Sequence, residues 1–471
     1  MSLNRSASAP ILRCRASAVS NPALAAVSTA QPIEYEAFAA RLCALQLEGG
    51  FAIAVSGGRD SMALARLSAL YAEETGATVL ALTVDHGLRP QSASEAAQTA
   101  QWCKAAGLAH RTLAWTGDKP QSGIQEAARH ARYRLLAAAC NEAGVGAVLT
   151  AHSASDQAET FLMRLARGAG PSGLAAMAQE TQIAAGAGAP IRLLRPLLDY
   201  SRARLTATVK AFGQAFVDDP GNDDPAYERI RMRALLAQLE ENGALSTQAL
   251  LRTIARQRDA ARRLRDQEEA LFRHTEGCFY RWGGVSLCAD AVRHSDGDAL
   301  AGLCRRLIHA VSGETYAPDE DKARNALTCA LQTGAATAGG ALIKLWQDRL
   351  WFLREPAAVV GRTGAPAIAP VALAPGQPIL WDNRFIVAGD AVAPGVVVKP
   401  LGLAEPNQRA MAAALYSGPK EGLASLPGIF APDVEREAVL ISAPALLSAK
   451  TGGFSGEAQA AARFYGAIIR F

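Results

Sequence analysis

Apolar residues in the first half of the chain follow two rhythms: short unbroken runs, and positions spaced three or four apart. Phe51-Ala-Ile-Ala-Val55 is an apolar run closed by a glycine pair, the pattern of a strand buried on both faces of a parallel sheet. Val79 to Val84 repeats it and ends on Asp85-His86-Gly87, and His110 to Trp115 and Ala147 to Thr150 supply two more. Between them, 61–71, 91–106 and 124–139 carry helical spacing. Strands separated by helices of this length predict βαβ units and a parallel sheet. Ligands of such sheets bind beyond the carboxyl ends of the strands, where every chemically interesting motif of this chain falls.

Past a Gly/Ala loop at 184–189, the composition changes after Asp218-Asp219-Pro220. Residues 245–275 read as one long helix with seven arginines, mixed helices continue to about 330, and Leu342 to Leu353 reads as a strand. Pro356, Pro366, Pro370, Pro375 and Pro378 mark a boundary, because proline suits neither a helix interior nor a central strand. Short strands and turns follow. The expected organisation is a tail over 1–34, an α/β unit over 35–222, a mainly helical unit over 223–355, a proline-rich linker over 356–378 and a small α+β unit over 379–471.

Composition narrows the class. Half of the 471 residues are hydrophobic, enough for several cores, and the net charge of +4 does not by itself imply nucleic acid. Eight cysteines at 14, 43, 103, 140, 278, 288, 304 and 329 contain no C-x-x-C pair, which argues against a zinc ribbon or a disulfide framework and for buried free thiols in a reducing compartment. No stretch approaches the roughly 18 uninterrupted apolar residues of a membrane span. The first 33 residues are rich in Ser and Ala, carry Arg5, Arg13 and Arg15, and have no acid, which fits either a disordered bacterial tail or an organellar transit peptide. The expected location is cytoplasmic on the first reading and organellar on the second.

Ser56-Gly57-Gly58-Arg59-Asp60-Ser61 follows a strand and opens a helix. A helix start presents unpaired N–H groups and the positive dipole end, and two glycines let backbone approach an anion. No lysine follows the glycines, so this is not a Walker A loop built for γ-phosphate chemistry. Beyond the fourth strand comes His152-Ser-Ala-Ser-Asp156-Gln157-Ala-Glu159-Thr160, where Ser153 or Ser155 can cap the next helix. Ala158, Phe161, Leu162 and Leu165 are expected on its buried face, with Asp156 and Glu159, three apart, together on the other side. Such a pair can hold an ammonium group or Mg²⁺, or merely complement the helix dipole.

The hexapeptide resembles the S-G-G-x-D-S signature of the PP-loop ATP pyrophosphatase superfamily. The segment from His152 is similar to the H-x-x-D-D-Q-x-E-T motif of tRNA(Ile)-lysidine synthases, and continues into Arg167-Gly168-Ala169-Gly170 and Gly173-Leu174 with Met177, like that family's R-G-x-G-x-x-G-L-x-x-M. Val84-Asp85-His86-Gly87-Leu88-Arg89, Ala128-Arg129 with Arg132-Tyr133, Arg195-Pro196-Leu197-Leu198, and Asp219, Asn222, Arg229 and Arg233 agree in order, covering about residues 50–233. Ser155, Gly221 and Ile230 depart from the family pattern, Ser155 standing where the first Asp of D-D-Q is usual.

The resemblance implies a PP-loop domain, adenine nucleotide α-hydrolase-like, with a helical tRNA-binding middle domain and a C-terminal domain that docks tRNA, for which Lys399-Pro400-Leu401-Gly402 is a short match. It implies an ATP- and Mg²⁺-dependent ligase that joins free L-lysine to C2 of the wobble cytidine in the CAU anticodon of tRNA-Ile, through an adenylated tRNA. The implied catalytic residues are Asp60, His152, Asp156 and Glu159. ATP would be held by Ser56, Gly57, Gly58, Arg59, Asp60, Ser61 and Asp85, with Asp60 on the metal; lysine by Asp156 and Glu159; tRNA by Arg195, Arg229 and Arg233. The seven arginines from 252 to 273 suit a polyanion, although Asp259, Asp266, Glu268 and Glu269 also fit a solvated helix. The oligomeric state stays open, a homodimer being one expectation. The rivals are a PP-loop thiolase, which would need sulfur-handling cysteines, a glutamine-fed synthetase, and a non-catalytic nucleotide- or RNA-binding module.

Overall fold

Alternation along Phe51, Ala52 and Ile53 places two hydrophobic clusters on opposite faces of one sheet. Phe51 and Ile53 join Phe38, Leu42, Met62, Leu64, Leu67, Leu205 and Val209, whereas Ala52 joins Leu82, Tyr133, Leu136, Cys140 and Val148. The structure is a computed structural model that describes residues 31–47, 50–117, 119–120, 122–217, 228–295, 297–364, 366–390, 392–432, 439–443, 454–458 and 469–470. The expected tail, apart from 31–34, lies outside the described residues, as do Asp219, Gly221 and Asn222.

The first unit runs α1 (Tyr35–Ala44), β1 (Gly50–Ala54), α2 (Arg59–Thr75), β2 (Thr78–Asp85), α3 (Ser92–Ala105), β3 (Ala109–Ala114), α4 (Ile124–Glu142) and β4 (Ala147–Leu149). It continues with α5 (Ala154–Ala166), α6 (Pro171–Leu174), β5 (Glu180–Ala184), β6 (Ile191–Leu194) and α7 (Arg202–Ala211). The sheet order is β5-β6-β4-β1-β2-β3, extended at the β5 edge by β19 (Ile469–Arg470). β1 pairs in parallel with both β2 and β4, and only β5 runs antiparallel to its neighbour β6. The connections from β1 and β4 therefore leave adjacent strand ends, at the point where the chain switches sides of the sheet. In open α/β sheets that crevice is where ligands sit.

Two helices carry the chain out of this unit, α8 (Glu228–Glu241) and α9 (Thr247–His274). α9 is amphipathic, burying Leu250, Ile254, Ala261 and Phe272. The next unit is more mixed than the expected helical domain: β7 (Cys278–Phe279), β8 (Val285–Cys288), α10 (Ala289–Arg293), α11 (Gly297–Ser312), α12 (Glu320–Thr333), β9 (Ala335–Ala338), β10 (Ala341–Trp346) and β11 (Arg349–Arg354). Its sheet is β7-β8-β11-β10-β9. The single strand expected over Leu342–Leu353 is a hairpin, turned by Gln347 and Asp348 at φ 49° and 56°. Two consecutive residues with positive φ are what a tight two-residue hairpin turn requires. Pro356 does not break structure but opens α13 (Pro356–Val360), where its missing N–H is harmless.

The last unit holds β12 (Val371–Ala372), β13 (Ile379–Trp381), β14 (Phe385–Gly389), β15 (Val397–Pro400), α14 (Pro406–Ala413), α15 (Lys420–Leu423), β16 (Pro427–Ala431), β17 (Val439–Ser442) and β18 (Phe454–Ala458), in two small sheets. It shares one core with the preceding unit, since Trp282, Trp351 and Leu353 cluster with Trp381, Phe385, Val398 and Phe430. An ionic junction, with Arg354, Asp382 and Arg384 buried and Glu314 half exposed, reinforces that core. Arg354 donates to Glu314 at 3.0 Å and to Asp382 at 3.1 Å, and Arg384 donates to the other Asp382 oxygen at 2.5 Å. Asn383 donates to the Gly313 carbonyl at 3.2 Å.

The described cysteines are all free thiols; Cys103, Cys140 and Cys304 are buried, while Cys43, Cys278 and Cys329 are exposed, contrary to the uniformly buried set expected. Among the described residues no helix is long and apolar enough to cross a membrane.

Candidate functional site

The loop after β1 is shaped by its own side chains. The Ser61 hydroxyl donates to the Gly58 carbonyl at 2.8 Å and accepts from the Ser56 amide at 3.1 Å. Ser61 is thus a buried staple of the loop, whereas Ser56 is exposed, its hydroxyl donating to Ser61 Oγ at 3.3 Å. From the far side, Val217 N–H donates to the Gly57 carbonyl at 2.9 Å. Gly58 is the N-cap of α2, so the first N–H groups of that helix open onto the crevice. Gly57 has φ +83°, and a β-carbon there would meet the Thr99 hydroxyl at 2.4 Å. Gly58 has ordinary φ −70° and only Ser56 Oγ within reach, at 3.6 Å. Gly57→Ala is therefore expected to cost about 1–3 kcal/mol and to weaken ATP binding, while Gly58→Ala leaves folding unchanged. Thermal melts and ATP titration of the two variants check this contrast.

Asp60, on the first turn of α2, contacts Arg59 at 3.4 Å. Burial raises its pKa above the usual carboxylate range, Arg202 and Arg59 work against the rise, and Asp156 adds to it. Asp60 and Asp156 therefore share one electrostatic neighbourhood across the ends of β1 and β4. Asp85, beyond β2, accepts from the Gly87 amide at 2.8 Å and so shapes its own turn. Beside it, His86 lies edge-on to Trp115 and is held neutral, its pKa pushed down to about 4 by burial and by Arg132.

Past β4, His152 meets the Thr150 hydroxyl through Nδ1 at 2.9 Å. Burial lowers its pKa to about 3; Asp156 opposes this, and Arg195, Arg229 and Arg129 support it. The ring is thus neutral at physiological pH. Asp156 closes a capping box with Ser153, accepting from its amide at 2.7 Å and its hydroxyl at 3.0 Å through one oxygen. Its other oxygen accepts from Arg229 at 2.7 Å. Burial alone would raise the Asp156 pKa, but Arg229, His152 and the Ser153 bonds hold it below the usual range.

Glu159 corrects the expected helix faces. Its side chain is 1% exposed, accepting from Arg229 at 2.7 Å and from Arg233 at 2.8 Å. α8 packs over that face of α5, while Leu165, expected inside, is half exposed. Arg229 and Arg233 are accordingly bound to the two acids.

Arg195 is 5% exposed and donates to the Ala178 carbonyl at 2.8 Å and the Thr181 hydroxyl at 3.3 Å. Its charge still acts on His152.

The 167–177 run is held as a scaffold. Gln157 exchanges two hydrogen bonds with Met177 at 2.8 Å each, Arg164 donates to the carbonyls of Gly173 and Ala176, and Arg258 of α9 donates to Ala175 and Met177. Part of the arginine-rich helix is thus spent on docking to the first unit.

Roles for Arg132 and Arg202 were not assigned from sequence. Arg132, on α4, has an exposed side chain whose guanidinium is nonetheless partly desolvated, and that desolvation, with Arg129 and Arg229, lowers its pKa against Tyr133. It also acts on His86, beyond the end of β2. Arg202 opens α7 beside Asp60. The R-x-x-R-Y spacing put Arg129 and Arg132 on one helical face, but the strand end they face depends on the sheet order.

The sequence model of the PP-loop domain family matches residues 33–240. A tRNA(Ile)-lysidine synthase of Methylobacterium nodulans is 39% identical over 349 residues, covering 69% of this chain and 97% of that protein. One of Rhodopseudomonas palustris is 41% identical, covering 64% of this chain and 90% of its own length. One of a Bradyrhizobium strain is 52% identical over 45% of this chain and 59% of its own.

Proposed function

The chain belongs to the tRNA(Ile)-lysidine synthase family, and we infer from this and from its site that it is a ligase carrying out that family's ATP-dependent tRNA modification. In the reaction we propose, the C2 oxygen of the wobble cytidine in a CAU anticodon attacks the α-phosphorus of ATP, and the bond to the β-phosphate oxygen breaks, releasing pyrophosphate. The side-chain amine of free L-lysine then attacks C2. The C2–O bond breaks, AMP leaves with the oxygen, and the attacking nitrogen gives up a proton. The observation that carries this reading is the meeting of two anion- and cation-handling motifs at adjacent strand ends: the 56–61 loop beyond β1 and the His152–Asp156–Glu159 segment beyond β4.

Each residue's part follows from its surroundings. The N–H groups opening α2, with Ser56, cradle the phosphates, and Arg132 offsets their charge from across the cleft. Asp60 fits a magnesium ion, since such ions take one or two carboxylates together with substrate phosphates. Among the described residues no group of three or more His, Cys, Asp or Glu forms an alternative cage. Once bound there, the ion supplies charge neutralisation at the phosphates. Asp156 receives the lysine ammonium in exchange for Arg229, because the oxygen involved is tied only to that side chain on another helix. Glu159 keeps Arg229 and Arg233 aimed at the cleft. His152, neutral and weakly basic, serves phosphate or the developing oxyanion as a hydrogen-bond partner and does not deprotonate the amine. The cytoplasm, where tRNA, ATP and free lysine meet, is the proposed place of action.

Incubation of the full chain with ATP, labelled lysine and a tRNA-Ile transcript bearing CAU should place label on the RNA and release AMP in equal amount. ATP consumption with no label on the RNA would overturn the reading.

A further inference from the structure

Tyr316 stands apart from the other aromatic residues among the described residues. It is 66% exposed, whereas Trp282, Trp351 and Trp381 are buried. An exposed ring alone needs no explanation. This one sits on a loop that its neighbours fix on both sides. Arg354 donates to Glu314, Asn383 to the Gly313 carbonyl and Arg305 to the Pro318 carbonyl at 2.8 Å, while the His309 ring meets the Thr315 carbonyl at 3.3 Å. The backbone under the ring is therefore held, and the ring projects from it.

What it projects toward is the first unit. The Tyr316 hydroxyl donates to Glu126 at 2.5 Å, a contact spanning 190 positions of sequence. Glu126 lies on the first turn of α4, the helix that one turn later carries Arg129 and then Arg132. Arg129 acts electrostatically on Tyr316 and also on His152. The ring is thus held through its hydroxyl at the first turn of α4, the helix that follows β3 at the carboxyl end of the sheet, and is otherwise largely exposed.

Rigid exposed aromatic rings beside arginines are how proteins hold unstacked bases of single-stranded RNA. We propose that Tyr316 is a stacking platform for an unpaired anticodon base flanking the target cytidine; this rests on the tRNA-modifying reading above. A base drawn into the crevice must leave its neighbours' stack, and a flanking base then needs a new surface. The bond to Glu126 fixes the plane of the ring and is not itself the contact with RNA.

The test uses the full chain with Tyr316→Ala and Tyr316→Phe, and tRNA carrying an abasic nucleotide on the 5′ or the 3′ side of the target. With unmodified tRNA, Tyr316→Ala should raise the KM for tRNA roughly tenfold with kcat within about twofold, and Tyr316→Phe should stay within about twofold of the parent. On one of the two abasic tRNAs the Tyr316→Ala penalty should vanish, because the partner of the ring is already gone. Phe as costly as Ala would make the residue a strut to Glu126 and overturn the proposal, as would an Ala penalty unchanged on both abasic tRNAs or absent altogether. Failure of the parent protein to put lysine on any tRNA would instead overturn the underlying function, and this proposal with it.

Discussion

Asp60→Ala is expected to abolish lysine transfer, by about a thousandfold or more, while tRNA affinity stays within about twofold of the parent. Asp60 is the carboxylate proposed to serve the phosphates, and Tyr316, proposed to meet RNA, lies on the loop between α11 and α12. Asp60→Asn should show the same loss together with a gain in stability. Burial raises the Asp60 pKa in the fold, so folding favours its protonated form. A carboxyl with a raised folded pKa loses stability as pH climbs from its ordinary value through the raised one, and at neutral pH the ionised group is a standing cost. Removing the charge relieves that cost and removes the chemistry. A variant both more stable and inactive is the mark of a residue kept for function. Retained lysine transfer, or a melting temperature that falls in Asp60→Asn, would contradict this account.

The second large effect is expected at Arg229. Replacing it with Met leaves Glu159, 1% exposed, with Arg233 alone, and leaves the partly buried Asp156 without its cation. Removing one partner of a buried pair costs about 3–5 kcal/mol, and because Arg229 is itself 37% exposed the lower end applies, about 3 kcal/mol. Lysine transfer should fall to background in the same variant. Adding Glu159→Met should return more than half of the lost stability, because the most deeply buried charge is then gone and Arg233 can turn to water, yet no activity should return. Urea unfolding separates the two variants. Equal stability of Arg229→Met and the parent would show that the ion pairs do not form in solution.

The parallel sheet was legible because strands buried on both faces carry no alternation to misread, and glycine or charged residues marked their ends. Phe51 to Val55 shifts by one residue to Gly50–Ala54, and the helix expected at 245–275 forms at 247–274. The hairpin within Leu342–Leu353 was hidden because Gln347 and Asp348 take positive φ without the Asn-Gly or Gly-Gly pair that usually announces such a turn. The burial of Glu159 could not be read locally either. Helical spacing places Asp156 and Glu159 together, but α8, about seventy positions downstream, decides that their face is covered and by arginines. The same holds for Arg195, whose partners are the Ala178 carbonyl, in the chain leading into β5, and the Thr181 hydroxyl on that strand.

The junction of Arg354, Asp382, Arg384 and Glu314 has a mechanical meaning. Its bonds tie the 382–384 turn of the last unit to the 313–316 loop, through Arg354 and through Asn383. Torque applied to the small sheets is therefore delivered to the loop that carries Tyr316, and through its hydroxyl to the first turn of α4.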